Sequence, residues 1–225
     1  MMDNGAGDVT RDEVRSAVRK AILLNEYLLR RAWGVLYLAL ALSMFLSIFG
    51  TPVIDSMESI GVASTIALDM TASGCAVIAI LWAFKRVRNT AEITHAEGDI
   101  AWSRLLGYRF VIPLWIAING IVILTIAFAS GRVSLVDLLI HLGLAVYLYY
   151  ALRLSFTKKI PAEAVVSIGS LSLSSVASLA LLSIVTSPGP YALLWGATIV
   201  AWIFSGVYAR TRPIPEFEEE RTGLE

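Results

Sequence analysis

Three ionisable side chains, Asp69, Asp137 and His141, sit inside long apolar stretches of this 225-residue chain, with Asn119 as a further polar group. A charge in hydrocarbon costs about 2.5–3.5 kcal/mol on insertion scales, so such groups face a protein interior or a cavity. Asp137 and His141 are four residues apart and share a face of a helix. At 1.5 Å per residue, Asp69 lies roughly 14 Å below the outer end of its stretch, and His141 about 18 Å from the inner end of its own. Their depths agree to within about one turn. The chemistry this suggests is a cluster of Asp69, Asn119, Asp137 and His141 lining an outward-open cavity and taking a proton or a cation. The competing reading is a set of interhelical hydrogen bonds, with Asp137 at headgroup level. One imidazole and two carboxylates on two helices are a poor metal set, and His95, in a connection, cannot join them. No metal and no cofactor is assigned.

A second polar feature is the series Ser170, Ser174, Ser178, a small residue every fourth position that lets helices approach closely. Its reading is helix packing. Ser167, Ser172 and Ser175 widen the polar face and leave a lining role open. The single cysteine, Cys75, excludes an intrachain disulfide and reads as a small packing residue. There is no His-Glu-x-x-His and no Gly-x-Ser-x-Gly turn. Nor is there a nucleotide-binding glycine loop.

The elements that must position these residues are six apolar runs, at 32–50, 60–84, 110–130, 134–152, 164–186 and 191–209. Each has the length that crosses about 30 Å of hydrocarbon as a helix. A composition 57% hydrophobic and 16% charged agrees with that class. Seventeen of the eighteen Lys and Arg residues fall on one side of the runs, and Arg132 is the exception. The positive-inside rule therefore predicts both termini in the cytoplasm and three helical hairpins in a cell membrane. The basic clusters flank helix ends, where cations meet anionic headgroups, so nucleic acid is not an expected partner.

The fold class expected is all-α, a polytopic integral membrane protein of six transmembrane helices preceded by an amphipathic interfacial helix. Residues 1–9 read as a mobile tail and 10–31 as the surface helix. Residues 32–209 form the membrane domain, and 210–225 a disordered acidic tail. Thr10-Arg-Asp-Glu13 has the form of a capping box, and Val14, Ala17, Val18, Ala21 and Ile22 recur at helical spacing. Arg30 and Arg31 mark a turn into the membrane. No cleavable signal peptide is expected, so the first helix stays in the mature protein. Asp99 can cap a short helix in the connection 89–108. Trp33, Trp82, Trp115, Tyr108, Tyr191, Trp195 and Tyr208 lie near predicted helix ends, as an interfacial aromatic belt would. The ends of the even-numbered helices look alike, which suggests a threefold hairpin repeat.

This layout, a surface helix, six spans and a large connection between the second and third, is similar to that of export-type ABC permeases. The likeness is architectural, because Thr186-Ser-Pro-Gly-Pro190 leaves no room for the re-entrant segment usual in them. The leading expectation is a transport-related membrane subunit, a small permease or the membrane partner of a cytoplasmic energising protein. Its expected partners are the lipid bilayer, a cytoplasmic ATPase or other soluble subunit, and further copies of itself. A membrane scaffold or assembly factor is the alternative. An integral-membrane enzyme acting on lipid would have only Asp69, Asp137 and His141 as its acid–base set.

Overall fold

The computed structural model describes residues 11–50, 71, 74–85, 113, 116–121, 123–124, 134–156, 160–182, 184 and 189–212. Among them every regular element is helical. Helix α1 runs Arg11–Phe45 and continues as a π-helical segment, Leu46–Gly50. Then come α2 (Gly74–Lys85), α3 (Leu135–Ser155), α4 (Ala162–Leu182) and α5 (Gly189–Thr211). Four of these helices contain stretches long and apolar enough to cross a membrane: Glu26–Phe45, Leu135–Arg153, Ala162–Leu181 and Gly189–Thr211.

The predicted surface helix and the first apolar run are one continuous helix here, because α1 passes through Arg30 and Arg31 without a break. No proline or glycine lies between Arg11 and Trp33, so nothing in the backbone stops the helix before its apolar part begins. The remaining helix ends have local causes. Ser134 caps α3, its hydroxyl accepting from the Asp137 N–H while the Asp137 carboxylate accepts from the Ser134 N–H, a reciprocal capping box. Phe156 turns extended and closes that helix. The Pro161 carbonyl accepts the first bonds of α4, from the N–H groups of Ala164 and Val165. Pro190 occupies the first turn of α5, where a missing N–H costs nothing.

α1 is the central helix. In its spanning part 56% of residues are buried, against 33–39% in the other three, whose remaining faces are apolar and outward. Its inward residues, Leu29, Trp33, Leu36, Leu40 and Met44, repeat every three or four positions. α1 packs chiefly on α5, α5 on α4, and α4 on α3. The α1–α5 contact is close enough to require glycine. A Cβ on Gly206 would lie 2.9 Å from the Gly34 carbonyl oxygen, and one on Gly34 would lie 3.0 Å from that of Gly206.

The aromatic side chains divide in a way that helix-end position does not reveal. Trp82 and Tyr208 are exposed near the ends of α2 and α5. Trp33, Tyr191 and Trp195 belong instead to the core, each at most 1% exposed. Trp33 packs edge-on against Phe84, and Tyr37 edge-on against Trp202, which ties α1 to α2 and to α5. Trp115 and Tyr108 lie outside the described residues, as do residues 1–9, the 89–108 connection and 213–225 of the predicted 210–225 tail, whose first two residues instead complete α5.

Candidate functional site

The strongest polar arrangement joins three helices at one end of the bundle. Arg30 lies just inside the spanning part of α1, and Glu163 is the second residue of α4. The Arg30 Nε donates to Glu163 Oε1 and its Nη2 donates to Oε2 at 2.8 Å, a two-pronged pair that holds the carboxylate in a planar fork. The Glu163 side chain is 3% exposed and that of Arg30 is 22% exposed, so the carboxylate is enclosed while the guanidinium still reaches water. Glu163 also stands in the first turn of α4, where a negative charge suits the helix dipole. Arg30 lies over the Tyr208 ring of α5 at 5.6 Å. Arg212 lies over the same ring and donates to the Tyr208 hydroxyl at 2.9 Å. As chemistry this is a clamp between helices.

A second polar seam holds α4 to α5. The Trp195 indole N–H donates to the Ser178 hydroxyl at 3.0 Å, and that of Trp202 donates to the Ser167 carbonyl at 2.9 Å. Between them the Ser174 and Thr198 hydroxyls share a hydrogen bond. Ser170 differs from the other two members of its series, for its hydroxyl turns back to the Ser167 carbonyl of its own helix. Ser178→Ala removes the acceptor from an enclosed indole N–H. We expect a loss of about 0.6–1.7 kcal/mol, the usual range for interhelical hydrogen bonds in membranes. Detergent-induced unfolding followed by tryptophan fluorescence measures it, and an unchanged midpoint would remove Ser178 from the stabilising seam.

The residues singled out from the sequence fall in separate places. Asp69 lies outside the described residues, and so does His95. The Asp137 carboxylate caps α3, accepting also from the Ser134 hydroxyl at 2.7 Å. His141 has no exposed surface, and its ring stacks on Trp195 at 5.6 Å between centroids. Asn119 is half-buried in the helical segment 116–121. That segment approaches α3 where Gly120 faces Leu144, one turn from His141. Asn119 and His141 are thus on neighbouring elements, while Asp137 belongs to the helix end. Among the described residues no three His, Cys, Asp or Glu side chains gather into a metal-binding group.

No family model matches the chain, and neither the curated proteins nor the solved structures contain a match to it.

Proposed function

We propose that this protein is a transport-related membrane subunit with six spans and both termini in the cytoplasm, partnered by a soluble energising protein. The observation that supports it best is the length of α1. Residues 11–25 precede the apolar part and continue it as helix for roughly 22 Å. Val14 and Val18 on this extension are about half exposed, so the described chain does not cover them. A rigid basic rod with uncovered apolar positions, joined without a break to the central helix of the bundle, suits the docking of a soluble partner. It also offers a mechanical route, because a push on the rod acts on α1 directly. The same segment retains the alternative of bending onto the membrane surface as an amphipathic helix, with Arg15, Arg19 and Lys20 toward lipid headgroups.

The test is purification from native membranes in mild detergent. A soluble nucleotide-hydrolysing protein should accompany the chain in fixed proportion, and V14D/V18D should release it while leaving the bundle folded. Recovery of the chain alone, with no change in cellular function for the double variant, would defeat the reading. Orientation is checked separately in a Cys75→Ala background. Cysteines at Ser56, Gly131 and Gly189 should react with an impermeant reagent from outside intact cells, and those at Ser16, Thr94, Thr157 and Thr222 should not.

A membrane scaffold or assembly factor is the second reading, and the α4–α5 seam favours it. The most serine-rich helix there uses its hydroxyls and a carbonyl to bind its neighbour, which is the work of a structural span. A lipid-modifying enzyme has less support, with the Asp137 carboxylate engaged in capping.

A further inference from the structure

Between α1 and α2 lies an elongated cleft of about 520 Å³, walled by Leu38, Ala39 and Leu42 on one side and by Cys75 and Ala79 on the other. Arg210, from the last turn of α5, stands at one end. The α1 wall extends from Val35 to Leu46, roughly 16 Å, which is about half of a 30 Å hydrocarbon core and so the depth of one leaflet. Ser43, with its hydroxyl, is nine residues along α1 from Gly34, against which the Arg210 side chain rests. The end of the cleft at Arg210 is therefore its charged end.

A second cation comes from the adjoining end of α2. Phe84 packs on Trp33, next to Gly34, and Lys85 follows Phe84 as the exposed last residue of α2. Neither Arg210 nor Lys85 has an ion pair among the described residues, and the buried carboxylate of Glu163 is held by Arg30. We propose that the cleft holds one acyl chain of an anionic phospholipid whose phosphate lies against Arg210 and Lys85. The proposal needs the helices to lie in a bilayer and is independent of the transport reading. An acyl chain entering from surrounding lipid gains little apolar burial, since it leaves one apolar medium for another. Selection therefore rests on the headgroup, at on the order of five-fold per basic residue near the surface.

The experiment uses the full chain in vesicles of phosphatidylcholine alone or equimolar with phosphatidylglycerol. Trace lipid of either headgroup carries a photoactivatable diazirine on one acyl chain, and adducts are located by peptide mass spectrometry. With the phosphatidylglycerol probe, adducts should concentrate on Leu38, Leu42 and Ala79, several-fold above those from the phosphatidylcholine probe. Leu173, on the outer face of α4, should be labelled equally by both. Arg210→Gln keeps the Cγ that rests on Gly34, and it should lower the cleft adducts about five-fold without altering those on Leu173. Ala79→Trp places an indole in the cleft and should lower its adducts with both cations intact. If a variant fails to fold, the comparison of the two probes on the unaltered chain decides alone. Equal labelling by both probes would overturn the proposal. So would displacement of the adducts by free glycerol phosphate, or a dimer crosslinked through the cleft in its place.

Discussion

Arg30→Met should destabilise the bundle by about 3–5 kcal/mol, the range for breaking a buried ion pair from one side. The reason is what it leaves behind, a Glu163 carboxylate that is 3% exposed with its two-pronged partner gone. Glu163→Gln should cost less, about 1–3 kcal/mol, because it removes a charge-assisted bond while the partly exposed Arg30 can still turn to water and to the Tyr208 ring. The double variant R30M/E163L should recover most of the loss, since a well-packed apolar pair often replaces a buried ion pair at no net cost. The measurement is a double-mutant cycle on dodecyl sulfate-induced unfolding in mixed micelles. Its coupling term should be large and of the sign that makes the double variant more stable than the sum of the singles. Equal single losses that add in the double variant would mean the clamp contributes nothing as a pair.

That clamp also marks where reading the sequence stops. The positions of the apolar runs near α3, α4 and α5 were legible, because each boundary has a local cause, such as a serine cap, Pro161 or Pro190. Glu163 was visible only as a carboxylate at the start of an apolar run. Its partner is 133 residues away, and no local rule connects them. The aromatic belt holds for Trp82 and Tyr208 but not for the buried members, for a related reason. Depth along a helix can be counted, but which way Trp33 or Trp195 faces depends on neighbours that a single sequence does not name. The capping role of Asp137 is legible in Ser134-Leu-Val-Asp137, which has the capping-box form.

The serine series shows how a period misleads. Steps of four residues drift by about 40° each on a helix of 3.6 residues per turn, so Ser170 and Ser178 differ by roughly 80° in direction. Positions 167, 174 and 178 stay within about 40° of one another, and they meet Trp202, Thr198 and Trp195 of α5. A face rather than an interval binds α4 to α5. The joining of segment 11–25 to α1 follows from another omission, the lack of any breaker before the apolar run. Basic residues mark where a helix meets the membrane surface, but they do not by themselves break it.

Gly206→Ala should be the most damaging single-methyl addition in the described bundle, lowering stability by about 1–3 kcal/mol as overpacking of a close contact does. The new Cβ would stand 2.6 Å from the Leu38 Cγ and 2.9 Å from the Gly34 carbonyl oxygen, both impossible without movement. Leu38 is a side chain and can shift, but the carbonyl belongs to the backbone of the central helix. Gly143 and Gly169 make the control. A Cβ there meets nothing within 4 Å, and alanine removes the entropy penalty of glycine in a helix, so each should gain about 0.5–1 kcal/mol. The same unfolding titration compares them all. Combining Gly206→Ala with Leu38→Ala separates the two obstacles. If the side chain alone stands in the way, the pair should cost no more than Leu38→Ala itself. The carbonyl at 2.9 Å requires instead that α1 and α5 move apart, so the added methyl should remain costly even with Leu38 trimmed. Full relief in the L38A background would show that the two helices do not depend on backbone contact at Gly34 and Gly206.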